Sequence, residues 1–224
     1  MTLAEKGLGA RRRRADPGEK TVTWPAFLRG RKSRYGAPAD GIHPRNKIVH
    51  DPSMSAPDNS VVRVTYMEAR QPPPPPSPRA GPERVALEHP SLNEYLTLYR
   101  SVGEPLRWDQ RLMMPEEELR SLLASDSLRI HVLRNSAGDP IGLCEFDHST
   151  LPEIELKNFG LIPAAQGAGL GPWLLTVALY EEWKFRPTRI WLHTDNWDHP
   201  AAIRVYERAG FRVYDQRDEP PGML

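Results

Sequence analysis

Hydrophobic and polar positions fall into regular periods only from Val61 onward. Val61 to Glu68 alternates (Val-Arg-Val-Thr-Tyr-Met), the period of a half-buried strand. Leu92, Tyr95, Leu96 and Tyr99 recur at helical spacing, predicting a helix over 92–102 that ends at Gly103. Pro115 to Ala124 reads as a second helix, with proline at its start, three glutamates in its first turn and Leu119, Leu122 and Leu123 on one side. Leu128–Arg134 and Ile141–Phe146 are strands on either side of the turn Asn135–Asp139, an antiparallel hairpin. Glu153–Phe159 is a further strand, Leu170–Trp183 the longest apolar helix and Arg189–Thr194 an apolar strand. Ala201–Arg208 is a last helix and Phe211–Tyr214 a last short strand. The predicted order is β-α-α-β-β-β-α-β-α-β, a mixed α/β domain with hairpins early and right-handed crossovers late.

Residues 1–59 carry neither period. They are rich in Arg, Pro, Gly and Ser, and are expected to form a disordered basic extension before a domain over 60–224. Charge divides the same way. Residues 1–50 hold 12 Lys/Arg against 4 Asp/Glu, a net of +8, and the rest holds 18 against 25, a net of −7. Arg11–Arg14 has no interleaved aromatics, so a solvated tail is expected and no nucleic-acid partner. Pro72–Pro76 and Pro78 impose an extended, semi-rigid spacer over 72–78. The one cysteine, Cys144, leaves no internal disulfide and fits a reducing compartment. With no apolar run long enough for a membrane span and no secretory leader, a cytoplasmic location is expected, away from membranes.

Chemistry concentrates in Gln166-Gly167-Ala168-Gly169-Leu170-Gly171, between a strand and a helix. Glycines there permit close backbone approach and positive φ, and the free N–H groups of the first helical turn face any anion placed before them. The ending lacks the Gly-Lys-Ser/Thr of a P-loop, and Asp195 falls too late for a dinucleotide-binding acid. The spacing Gln-x-x-Gly-x-Gly resembles motif A of the GNAT superfamily of N-acetyltransferases. Ala202-Ile203-Arg204-Val205-Tyr206-Glu207-Arg208-Ala209-Gly210-Phe211 resembles that superfamily's next motif, Ala-x-x-x-Tyr-x-x-x-Gly-Phe. The resemblance covers roughly Val61 to Tyr214. It implies a mostly antiparallel, six- to seven-stranded sheet flanked by about four helices, and acetyl-CoA as co-substrate.

On this resemblance, Gln166, Gly167, Ala168, Gly169, Leu170 and Gly171 cradle the pyrophosphate, and main chain of Phe159, Gly160 and Leu161 holds the pantetheine arm and thioester. Glu155, eleven residues before Gln166, is the expected base, and Tyr206 the proton donor to the departing thiolate. Strand alternation puts Glu153 and Glu155 on one face and Ile154 and Leu156 on the other. Glu145 on the neighbouring strand also reaches the expected cleft, and a solvated or structural glutamate is the alternative for each. The superfamily's usual Asn before the second motif is here His199, followed by Pro200, with Asn196 three residues earlier; either takes the cofactor contact. Arg107 and Trp108 break both periods where the superfamily forms its acceptor pocket, with core packing the alternative for Trp108.

His193, Asp195, Asp198 and His199 fit no strong metal-ligand spacing, so no metal is expected. Cys144 lies between apolar residues and reads as a core hydrophobe, which argues against a covalent route. The resulting expectation is an N-acetyltransferase acting on a primary amine, small molecule or peptide, by direct transfer in a ternary complex. A non-catalytic acyl-CoA-binding sensor or interaction module is the alternative. The superfamily's habit of pairing through late strands raises a homodimer.

Overall fold

The computed structural model describes residues 61–219. The expected extension over 1–59 lies outside the described residues. Seven strands form one sheet in the order β2-β3-β4-β5-β6-β1-β7. In chain order these are β1 (Val62–Ala69), β2 (Arg84–Glu88), β3 (Leu128–Arg134), β4 (Pro140–Asp147), β5 (Glu153–Leu161), β6 (Arg189–Asp195) and β7 (Arg212–Glu219). Five helices accompany them: α1 (Leu92–Gly103), α2 (Gln110–Met113), α3 (Glu116–Leu123), α4 (Leu170–Glu182) and α5 (Ala202–Arg208). Every neighbouring pair is antiparallel except β5–β6, whose parallel pairing requires the α4 crossover.

Helix α1 starts as its sequence dictates. Ser91 and Glu94 exchange capping-box hydrogen bonds, and Tyr95, Leu98, Tyr99 and Val102 bury one stripe. That stripe meets Leu119 of α3 and Ile130, Val132 and Leu143 of the sheet in one apolar cluster. A second cluster gathers Leu174, Leu175 and Leu179 of α4 with Ile154 and Leu156 of β5, Ile190 and Leu192 of β6, and Met67 of β1. Burial along β5 alternates over Glu153–Leu156 as the pattern predicts, with the glutamates part-buried and Ile154 and Leu156 buried.

The structure departs from the sequence reading in three places. Strand β2 follows the prolines as an edge strand paired only with β3, and the five-residue run Arg-Val-Ala-Leu-Glu is too short to register as a period. Strand β7 runs on to Glu219, well past the predicted end at Tyr214, because β1 gives its polar residues a ladder to join. Gln110–Met113, for which the sequence reading gave no element, forms the short helix α2. The order β-β-α-α-α-β-β-β-α-β-α-β therefore contains one strand and one short helix more than the sequence reading.

Candidate active site

Strand β5 pairs with β6 only over Glu153–Glu155 against Arg189–Trp191. Beyond that point β5 stays bonded to β4 as far as Leu161, and β6 to β1 as far as Asp195. The two strands therefore part like a V, and the main chain of 156–161 has no β6 partner along the gap. A bulge sharpens the parting. Glu145 pairs with Asn158 and Phe146 with Leu156, which leaves Lys157 as the extra residue of β5.

A cleft of about 1020 Å³ fills the opening. At its head, Gly167 (φ +82°) and Gly169 (φ +71°) hold left-handed conformations with open space where a Cβ would stand. Gly169 caps α4 with no side-chain hydrogen bond, so the first N–H groups of the helix are left to an external acceptor. A helix N-terminus acts as roughly half a positive charge. The Gln166 amide donates to the Leu161 carbonyl at 3.3 Å, tying the loop back to the end of β5. A backbone cradle of this form fits a pyrophosphate.

Gly160 has a packing cause. A Cβ there would stand 2.5 Å from Val102 Cγ1, so glycine lets α1 approach β5. Phe159 lines the cleft with its ring 5.9 Å from that of Tyr206. Tyr206 is itself buried, and burial pushes its phenol well above the ordinary range, so it remains a hydrogen-bond donor at neutral pH. His199 lines the cleft and accepts the Ala201 N–H on Nδ1 at 3.1 Å. Arg107 takes a left-handed backbone (φ +61°), and its guanidinium stacks 5.3 Å from the Trp197 ring centroid, bridging the α1–α2 connection to the loop after β6. Trp108 packs on Tyr99 at 5.5 Å and faces the cleft, so it is core and wall together.

Four of the expected residues stand elsewhere. Asn196 Oδ1 accepts the Arg63 N–H at 3.0 Å and fastens the start of β1, away from the cleft lining. Ala168 turns its carbonyl to Arg79 Nη2 at 3.3 Å. Glu145 is fully buried; it accepts from the Tyr95 hydroxyl at 2.6 Å and from Arg111, and its charge adds to burial in pushing the Tyr95 phenol up. Its carboxylate is thus committed to holding α1 and α2 on the sheet. Glu155 stands behind the cleft lining, 3.0 Å from Lys157 Nζ and 3.6 Å from His193 Nδ1.

Several cleft residues escaped the sequence reading: Asp109, Lys157, His193, Asp195, Trp197 and Asp198. His193 and Asp198 enter the sequence reading only as metal ligands, and Asp195 as a metal ligand or a dinucleotide-binding acid. The signal that separates them is alternation along β6, which puts His193 on the same face as Trp191 and Glu155. Asp195 is half-buried, and burial, with the Asp198 charge, raises its carboxyl pKa although it accepts the Trp197 N–H at 2.7 Å. Among the described residues no group of three or more His, Cys, Asp or Glu is placed to hold a metal, and no helix is long and apolar enough to cross a membrane. Burial pushes the Cys144 thiol well above its ordinary range, which keeps it protonated in the core.

Comparison with known proteins agrees with this architecture. A GCN5-related N-acetyltransferase from Sphaerobacter thermophilus superposes with a TM-score of 0.50 at 22% identity, over 73% of this chain and 54% of that one. A GNAT-family protein from Novosphingobium aromaticivorans gives 0.51 at 18% identity, over 74% and 67%. A tandem GNAT protein from the clavulanic acid biosynthesis pathway gives 0.50 at 18%, over 72% and 55%. At these identities the likeness is one of fold, and this chain spans little more than half the length of the first and third. No curated protein matches the sequence. The family model described as "Acetyltransferase (GNAT) family" matches residues 92–211, more than half of the chain, so the protein belongs to the GNAT family of acetyltransferases.

Proposed function

We propose that the protein transfers the acetyl group of acetyl-CoA to a primary amine by direct attack within a ternary complex. The observation that carries this reading is the parting of β5 from β6 directly before the glycine-capped N-terminus of α4. Acetyl-CoA supplies an activated thioester. Free N–H groups at Gly167–Gly171 receive its pyrophosphate, and the unpaired edge of Phe159–Leu161 takes the pantetheine arm as an added strand would be taken. A main-chain N–H of that edge aimed at the thioester oxygen contributes about 3 kcal/mol to the developing oxyanion.

The acceptor enters beside Arg107 and Trp108. An alkylamine has a pKa of about 10.4, so near neutrality a base must take its proton. Glu155 is that base. It acts through His193, which lines the cleft with Nδ1 3.6 Å from the Glu155 carboxylate. Tyr206 donates to the departing thiolate; its raised pKa makes it a hydrogen-bond donor more than a source of free protons. His199 takes the place of the family's usual asparagine in contacting the cofactor.

Calorimetric titration of acetyl-CoA into the full chain, with Gly169→Trp as control, tests the cofactor. Thiol release across a panel of amines tests the acceptor. Saturable binding that the control loses, followed by turnover that Glu155→Gln abolishes, is the expected result. Binding with no turnover on any amine would leave a sensor or interaction module in place of an enzyme.

A further inference from the structure

The phosphate cradle contains no cation of its own. From Asn158 to Trp183 the sequence has no Lys, Arg or His. The helix dipole offers roughly half a charge to a pyrophosphate bearing about two. A cation on a neighbouring element adds to that half-charge.

The Pro-rich segment between β1 and β2 passes that point. In the sheet these strands are five places apart, a separation of about 24 Å at roughly 4.8 Å per strand. Prolines 72–76 and 78 favour an extended chain at about 3.1 Å per residue, so residues 70–83 reach the far edge with length to spare. On the way the segment touches the head of α4. Arg79 Nη2 donates to the Ala168 carbonyl at 3.3 Å, inside the glycine loop. The same guanidinium lies 5.8 Å from the ring centroid of Trp173 in the first turns of α4. Its Nε edge stands 3.5 Å from Glu83 Oε2, which holds the plane while the Nη edge faces the loop.

We infer that the Pro-rich segment is a strap over the cofactor loop and that Arg79 supplies the cation for the pyrophosphate. The inference rests on the acetyl-CoA reading above. Arginine suits the place, because a guanidinium has five donors and can hold a loop carbonyl and a phosphate oxygen together. Trp173 keeps its plane fixed, and the stiff prolines on the N-terminal side limit the freedom lost when the ligand enters.

The test measures dissociation constants for CoA and dephospho-CoA with the full-length wild type, Arg79→Ala, Arg79→Gln and Arg79→Lys. Arg79 keeps 30% of its side-chain surface exposed, so the variants retain the fold, which thermal melting checks. Glutamine can still donate to Ala168 but carries no charge, whereas lysine keeps the charge. Expected are about tenfold weaker binding of both ligands to the Ala and Gln variants and recovery to within about threefold by Lys. Full affinity in Arg79→Gln would overturn the inference while leaving the acetyl-CoA reading intact. A loss confined to CoA would overturn it too, by moving the charge to the 3′-phosphate. Wild type that binds neither ligand would remove the acetyl-CoA reading, and the role of Arg79 with it.

Discussion

Removing the carboxylate of Glu182 tests how the fold holds helix α4. Glu182 closes α4 with its side chain fully buried, at the helix end where the dipole disfavours a negative charge. Two imidazoles and a guanidinium compensate. His131 Nε2 lies 2.5 Å from Oε1, His148 Nε2 lies 2.5 Å from Oε2, and Arg129 Nε donates to both at 3.0 Å. Phe185 covers the group, with Arg129 stacked on its ring at 4.6 Å and the two rings of His148 and Phe185 edge-on at 4.9 Å. Burial alone pushes the carboxyl up. The hydrogen bonds from His131 and His148, with the charges of His131 and Arg129, outweigh it and bring the pKa from 4.5 to about 2.

The sign of the linkage follows. The unfolded chain takes the proton near 4.5 and the folded chain near 2, so this stabilisation is complete above about pH 5 and is lost as pH falls from 4.5 towards 2. At about 1.36 kcal/mol per pH unit, the difference is on the order of 3 kcal/mol. Urea unfolding of wild type and Glu182→Gln between pH 5 and pH 2.5 reads it together with the protons of the two imidazoles that Glu182 holds, because carboxylates away from this cluster titrate in both proteins and cancel. The stability gap between the two should narrow by about 2–3 kcal/mol over that range. A gap that stays constant would refute the reasoning and reduce Glu182 to a neutral packing element.

Three further perturbations follow from the site. Tyr206→Phe should lower kcat for thiol release by about 10- to 100-fold with the KM for acetyl-CoA nearly unchanged; an equal rise in KM would make the phenol a packing residue only. Gly160→Ala forces a methyl to 2.5 Å from Val102 Cγ1, and overpacking of that kind costs about 1–3 kcal/mol in thermal or urea unfolding. Adding Val102→Ala should return part of that loss, and a stable single variant would sink the packing explanation. Glu145→Gln strands Arg111, which has 9% of its side chain exposed, and should destabilise by about 3–5 kcal/mol. Selective loss of acceptor affinity in a fully stable Glu145→Gln would restore the carboxylate to a substrate role.

Much of the candidate site was legible because its parts are local. The glycine spacing, the helix that follows and the Tyr-x-x-x-Gly-Phe run are each set by a few adjacent residues, and the structure brings Gln166, Gly167, Gly169, Leu170, Gly171, Phe159 and Tyr206 to one cleft. Alternation over Glu153–Leu156 also held, since one face of β5 packs on α4. What sequence did not reveal depends on non-local partners. Glu145 lies in a strand with buried residues at nearly every position, so parity could not say whether its carboxylate met solvent, ligand or Arg111. Asn196 and His199 were equal candidates until the Arg63 N–H claimed Asn196. His193 and Asp195 became cleft residues only through the parting of β5 and β6, a feature of pairing that no single strand encodes.

The same reasoning explains why the position of β1 matters for function. Alternation assigns a strand its buried face but not its neighbours, and Val62–Ala69 fits an edge or a centre equally well. Seated between β6 and β7, it pairs with Ile190–Asp195 along nearly the whole of β6. Strand β6 therefore has its backbone hydrogen bonds satisfied on the side away from β5, and can leave β5 after Trp191 without giving up its ladder. Meanwhile β4 holds the other side of β5 through Leu161, with the bulge at Lys157 adding twist where the gap begins. The opening proposed to receive the cofactor is thus stabilised from both flanks. Seating β1 there also forces the chain back across five strand positions to β2, which lays the proline strap and Arg79 against the glycine loop. A single non-local pairing accounts for the cleft and for the cation beside it.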